Sequence, residues 1–192
     1  MSKFNSLVVS DINNLTTDSV VISFDISNTG NFDFVSGQYI TIKHKIDGEE
    51  VRRAYSICSA PSEGLSIGVK RVEGGKMSTF LVDHLNIGDS LEVMPPSGNF
   101  VYKENKKHVV AICAGSGITP IFSMIKSIDD HTNFSLLYGN KSEQSTMFYS
   151  ELKTIKDNSS KHLNIHWFFS KEKVQSSING RIDKNNLQQL LN

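Results

Sequence analysis

The chain has 192 residues, 38% of them hydrophobic and 21% charged, with 20 basic residues against 20 acidic ones. That length supports one large or two small globular domains, and the balanced charge sets up no global field to recruit nucleic acid or an anionic membrane. No apolar run approaches the ~20 residues that span a bilayer, and residues 1–5 lack the apolar core of a signal peptide, so the expected compartment is the cytoplasm. Cys58 and Cys113 are too few for a disulfide framework, a zinc site or an all-cysteine iron–sulfur cluster. Each is expected to be a small buried filler, and no metal site is expected.

The first half reads as short strands punctuated by turns. Val20, Ile22, Phe24 and Ile26 alternate with Val21, Ser23 and Asp25 up to the turn cluster Asn28-Thr29-Gly30. Ile40, Ile42, His44 and Ile46 alternate with Thr41, Lys43 and Lys45, and Asp47-Gly48 closes a hairpin into residues 51–57. His44 reads as a packing residue. Residues 65–72 and 90–94 are further strands, and the series predicts a small closed sheet or barrel. One helix interrupts it, beginning near Ser78 with Phe80, Leu81, Val82 and Leu85 at helical spacing and ending at Asn86-Ile87-Gly88-Asp89.

Two stretches of this half carry chemistry. In Arg53-Ala54-Tyr55-Ser56, strand alternation puts Arg53 and Tyr55 on one face. The guanidinium fork suits phosphate oxygens, and the phenol offers a broad apolar face with a polar tip. Ser56, at the strand's end, is placed to reach a ring nitrogen with its hydroxyl or its N–H. In Gly74-Gly75-Lys76-Met77-Ser78, glycine-freed N–H groups, a helix start and a Lys make a site for pyrophosphate. Alone, the first also fits an ordinary strand with an exposed Arg, and the second a hairpin tip capped by Ser. Together they favour a phosphate-bearing cofactor.

The polar segment 102–107 then changes the period, giving expected domains 1–102 and 106–192. Strands at 108–113, 134–138 and 163–169 alternate with helices at 118–128 and 146–155, the order of a parallel sheet with right-handed crossovers. Gly115-Ser116-Gly117 falls at the carboxyl end of the first of these strands, where open α/β sheets bind ligands. Pro120 takes the place of the third glycine in a dinucleotide fingerprint and suits a helix's first turn. Gly139-Asn140-Lys141 ends the second strand without an acid, Ser170-Lys171-Glu172 ends the third, and a short polar helix closes the chain.

Arg53-x-Tyr55-Ser56, followed about sixty residues later by Gly115-x-Gly117-Ile118-Thr119-Pro120, resembles the flavin and nicotinamide signatures of the ferredoxin–NADP reductase superfamily. Residues 68–78 and Met94-Pro95-Pro96-Ser97-Gly98-Asn99-Phe100 are similar to the reductase components of phenylacetyl-CoA oxygenase systems within it. The resemblance implies a six-stranded antiparallel Greek-key barrel with one helix, followed by a partial Rossmann-like parallel α/β domain. It also implies FAD held by Arg53, Ala54, Tyr55, Ser56, Val69, Lys70, Arg71, Gly75, Lys76, Met77 and Ser78, with Tyr55 and Ser56 at the reacting ring.

NADPH, or NADH, is expected at Gly115, Ser116, Gly117, Thr119, Ser170 and Lys171. Lys171 stands where NADP-dependent members carry Arg, which weakens the preference. The implied activity is electron transfer from the nicotinamide nucleotide through FAD to a ferredoxin-like domain or an oxygenase, in phenylacetate degradation. The alternative is a flavin-binding electron-transfer module without turnover of its own. A [2Fe-2S] cluster is expected only in a further C-terminal domain or a partner. Because superfamily chains run on through two more strands and a Cys-Gly-Pro-like motif, the sequence reads as a fragment or a truncated product.

Overall fold

A computed structural model of the chain describes residues 3–27, 29–103, 106–158 and 161–191. Asn28 of the predicted turn cluster, and Glu104 and Asn105 of the predicted linker, lie outside them. The chain divides into two compact units, Met1–Lys103 with Thr119–Ser127, and Glu104–Ile118 with Ile128–Asn192.

The first unit holds β1 (Asn5–Thr16), β2 (Ser19–Asp25), β3 (Tyr39–Ile46), β4 (Glu49–Ser56), β5 (Leu65–Lys70) and β6 (Ser90–Ser97), with alternation of β-branched residues clearest in β2 and β3. They form one antiparallel sheet in the order β4-β3-β6-β1-β2-β5. Its outer strands meet at a single bridge, Ile57↔Ile67, which curls the sheet toward closure. Ile22, Ile40, Ile42, Ile67, Val69 and Val93 point inward and are fully buried. Asp47 and Gly48 both take positive φ, 51° and 82°, as a two-residue hairpin turn requires.

Sequence alternation did not disclose β1. Register shifts between Val9 and Asp11 and between Asn14 and Thr16 break its period, so Leu7 and Val9 face the core while Asp11, Asn13 and Asn14 disrupt the pattern. β6 runs past Met94 through both prolines to Ser97, because its pairing with β3 is irregular between Tyr39 and Thr41 and the ladder there needs no donor from Pro95 or Pro96.

Helix α1 (Lys76–Asp83) starts two residues earlier than expected, with Gly75 as its N-cap. Met77 and Leu81 are buried, the helix packs on β3, β4 and β5, and Phe80 stacks on His44 with ring centroids 4.3 Å apart. Helix α2 (Ile118–Ser127) contributes residues 119–127 to this same unit. Its Met124 reaches the backbone at Gly37.

The second unit holds β7 (His108–Ala114), β8 (Asn133–Asn140), β9 (His162–Phe169) and β10 (Ile178–Asn179), all parallel in the order β10-β9-β8-β7. The two-residue β10 corrects the expectation of three strands; it is too short to show a period. Phe134, Leu136, Tyr138 and Phe168 are fully buried. Helix α3 (Tyr149–Asn158) begins three residues later than predicted, because Phe148 holds φ at 59° and cannot join a right-handed helix. Helix α4 (Lys184–Leu191) closes the chain. Among the described residues no helix is long and apolar enough to cross a membrane.

Candidate cofactor sites

The Ile57↔Ile67 bridge is the only point at which the two outer strands of the antiparallel sheet meet among the described residues. Beyond it no ladder joins them among the described residues. Continuing its register would set Tyr55 toward Val69 and Arg53 toward Arg71, so residues 53–56 and 68–71 are the two lips of the sheet's open side. Helix α1 packs on both lips and on β3. The strands that carry 53–56 and 69–71 and the helix that begins at 76 are therefore neighbours in the first unit.

Arg53 and Tyr55 pair with Ile42 and Ile40, so they share the inward-turned face of β4. Arg53 is exposed, and its Nη1 donates only to the neighbouring Arg52 carbonyl, at 2.7 Å. Among the described residues no carboxylate pairs with it, which leaves the fork for an anion. Tyr55 is half-buried against the core, and burial pushes its phenol up to about 12 against the opposing pull of the Arg53 charge. A neutral phenol with one open face suits stacking. Ala54 is exposed, and by alternation it lies on the outer face with the half-buried Ser56.

The α1 N-terminus is open. The first intrahelical bond is Thr79 N–H to Gly75 O at 3.0 Å, so the N–H groups of Lys76, Met77 and Ser78 have no carbonyl within the helix. A Cβ at Gly75 would lie 2.6 Å from Ser78 Oγ and 3.1 Å from Val72 O, so a larger residue there would displace the Ser78 hydroxyl. That hydroxyl is occupied by its own turn, accepting from Val72 N–H at 3.0 Å and donating to Gly75 O at 3.3 Å.

Other expected ligands are committed elsewhere. Arg71 grips Asp83 with Nη1 at 2.8 and 3.0 Å from the two carboxylate oxygens, Lys70 pairs with Asp18 at 3.3 Å, and Lys76 pairs with Glu49 at 2.5 Å. Val69 and Met77 are buried, so only their main chains face the opening. The Lys76 pair is exposed and easily exchanged for a phosphate.

A residue that alternation did not single out is Tyr39. It pairs with Ser56 across β3 and β4, is about one-third exposed, and lies against the Gly98 backbone. Its position at a strand's first residue hid it.

In the second unit the strand ends converge as the parallel order demands. Gly115–Gly117 forms a tight turn after β7, and Tyr138 shares its phenolic proton between Gly115 O at 2.9 Å and Met147 O at 3.3 Å. That prop beneath the glycine turn was not read from the sequence. Thr119 is buried and belongs to the first unit, whereas Gly115, Ser116 and Gly117 belong to the second. Ser170 donates its hydroxyl to Asn140 O at 3.3 Å, while Lys171 is exposed with no described carboxylate partner. Asn140 Nδ2, at the carboxyl edge of the sheet, is buried and makes no hydrogen bond of normal geometry among the described residues, although the Asn140 side chain acts on the Tyr138 phenol.

The two cysteines differ. Cys58 is buried as expected, but Cys113 is only half-buried. Burial pushes both thiols up to about 12. A group whose folded value lies above its ordinary one stabilises the fold below that ordinary value and ceases to as pH rises through the folded one. Native protein should therefore resist a thiol reagent at mildly alkaline pH and react with two thiols once denatured; rapid native labelling of either cysteine would contradict these environments. Among the described residues no three His, Cys, Asp or Glu side chains cluster to hold a metal.

The family model "Oxidoreductase FAD-binding domain" matches residues 6–102, and "Oxidoreductase NAD-binding domain" matches residues 111–192. A subunit of the 1,2-phenylacetyl-CoA epoxidase of Escherichia coli is 39% identical over 99% of this chain, which spans 56% of that relative's length. A flavohemoprotein of Pseudomonas aeruginosa is 48% identical over 48% of this chain and 24% of its own. The FAD/NAD-binding domain of nitric oxide dioxygenase from Vibrio cholerae superposes with a TM-score of 0.86 at 24% identity, over 95% of this chain and 81% of that one. At that identity the last likeness speaks for the fold alone.

Proposed function

Because this chain belongs to the oxidoreductases that join an FAD-binding domain to an NAD-binding domain, we propose that it moves electrons from NADPH, or NADH, through FAD to an iron–sulfur protein or an oxygenase in the cytoplasm. The FAD-binding region is 1–102 and the NAD(P)-binding region 106–192. A phenylacetyl-CoA epoxidase subunit is a relative aligned along nearly the whole chain, and phenylacetate degradation is the pathway we assign. The reading is supported by the open side of the sheet between β4 and β5, where Arg53, with no described carboxylate partner, and Tyr55 share a face of β4 and α1 packs against both strands.

Bound FAD supplies the chemistry, accepting two electrons as hydride and releasing them singly. The protein supplies placement. Arg53 neutralises the pyrophosphate, and the main-chain N–H groups of Lys76, Met77 and Ser78 bond its oxygens. The main chain of residues 69–71 and Gly75 completes the cradle. Tyr55 would offer its ring to the isoalloxazine face, and Ser56, whose side chain turns to the other face of β4, would reach the ring near N5 through its main chain. Gly115, Ser116, Gly117 and Thr119 receive the nicotinamide nucleotide, with Ser170 and Lys171 at its 2′-phosphate. No side chain has to act as a general acid or base.

Fluorescence titration with FAD and with FMN tests the anion site. FAD should bind more tightly, since only FAD carries a pyrophosphate; equal affinities would remove the role assigned to Arg53 and α1. For the second nucleotide, Lys171→Glu should lower the preference for NADPH over NADH about tenfold, by placing a like charge where a monodentate cation stood. An unchanged ratio of the two dissociation constants would show that Lys171 does not meet the 2′-phosphate.

A further inference from the structure

The Ser123 hydroxyl, in the middle of α2, is fully buried and donates to the Ser59 main-chain carbonyl at 2.6 Å. Ser59 lies three residues beyond Ser56 on the segment leaving β4, and that segment is itself held in place. Ile57 N–H donates to Gln38 O at 2.9 Å, Cys58 N–H to Ser66 O at 2.8 Å, and Ser66 N–H to Ser59 Oγ at 3.0 Å. The Ser123 bond thus joins α2 to a fixed continuation of the strand that carries Arg53 and Tyr55.

Independent contacts tie the same helix to the same unit. Ser127 Oγ lies 2.7 Å from Ser36 Oγ, Lys126 Nζ lies 2.7 Å from Glu63 Oε2, and Met124 fits over Gly37 with no room for a methyl group. Thr119 stands one turn before Ser123 on the same face of α2 and falls in the same unit. Lys126 and Ser127 sit at the solvent-reaching end, whereas Ser123 is the buried tie closest to Thr119.

Resting on the function proposed above, we infer that Ser123 is a positioning residue for hydride transfer, fixing Thr119 and the start of α2 relative to Tyr55 and Ser56. In that transfer the reduced nicotinamide would give up a hydride, a hydrogen nucleus with two electrons, and become the oxidised cation, while the flavin would take up that nucleus with both electrons. Ser123 touches neither partner. It acts through the helix, so its loss affects the rate of transfer far more than the binding of either nucleotide. Removing the hydroxyl also leaves the Ser59 carbonyl unpaired in a buried place, which drives α2 to shift. Small displacements of reacting groups have large effects on rate.

Stopped-flow reduction of the FAD-loaded chain by NADPH, at a series of concentrations, separates the limiting rate from nucleotide affinity. For Ser123→Ala the limiting rate should fall about tenfold or more, while FAD affinity and the half-saturating NADPH concentration stay within about twofold of the parent. Ser123→Cys, nearly isosteric and a weak donor, should restore an intermediate rate. A limiting rate in Ser123→Ala equal to the parent's overturns the inference and leaves the proposed function standing. Should Ser123→Ala fail to hold FAD, Ser123→Cys is read on the same measurement, and a parent-like rate combined with a lost hydrogen bond in its structure overturns the inference equally. A parent chain that binds no FAD instead overturns the proposed function on which the inference rests.

Discussion

Replacing Arg53 with Ala should weaken FAD binding by about 1.5–3 kcal/mol, the usual contribution of a hydrogen bond to a charged group, or roughly ten- to a hundredfold in affinity. Three features support an effect at the upper end. The guanidinium has no described carboxylate to pair with, so little is gained by its removal in the free protein. It lies on the face of β4 that Tyr55 shares, which sets it at the opening. Of the other cations nearby, Lys70 and Arg71 are held by Asp18 and Asp83, which leaves the exposed Lys76, itself paired with Glu49, as the one exchangeable substitute. The effect should be much smaller for riboflavin, which has no phosphate. A loss of equal size for riboflavin would mean that Arg53 supports the strand or the ring and not the pyrophosphate.

Gly37→Ala should be the most damaging single-methyl change in the first unit. Gly37 holds φ at 103°, and a Cβ would lie 2.1 Å from Phe100 O and 2.4 Å from Met124 Cε. Met124 can move; the Phe100 carbonyl belongs to backbone and cannot do so cheaply. Strain of this kind and overpacking each cost on the order of 1–3 kcal/mol, so a loss of about 3 kcal/mol is expected, a drop of roughly 6–12 °C in melting temperature. Gly48→Ala is the comparison, since it too has positive φ, 82°, but meets nothing within 4 Å. It should cost only about 1 kcal/mol. Equal melting temperatures for the two variants would show that the close approach at Gly37 relaxes freely.

Most of the architecture was legible because its elements repeat with a clean period. Ile40, Ile42 and Ile46 announce β3, and Asp47-Gly48 announces the hairpin. The elements that escaped are those whose period is broken or too short: β1 with its two register shifts, and the two-residue β10. The start of α3 was misplaced because a left-handed Phe148 leaves no trace in composition.

The site was legible to the degree that it depends on main chain and spacing. Residues 53–56, 69–71 and 75–78 belong to neighbouring elements because β4 and β5 are the two ends of one sheet and α1 packs on both. What spacing cannot convey is which charged side chains are already engaged. Arg71 and Arg53 look equivalent as letters, yet Asp83 holds the one and no carboxylate among the described residues holds the other. Nor does a sequence reveal that Tyr138 props the glycine turn, or that Ser123 and Ser59, 64 residues apart, share a buried proton.

On the function proposed here, FAD bound to this chain takes hydride from a nicotinamide nucleotide. Anaerobic titration of the FAD-loaded protein with NADPH, followed through the visible flavin band, tests it most directly. The account predicts that the band bleaches with one equivalent of NADPH per flavin and returns on admission of an electron acceptor. A protein that binds FAD but keeps its band unchanged under excess NADPH and NADH would contradict the account, leaving a flavin-binding module without hydride transfer of its own.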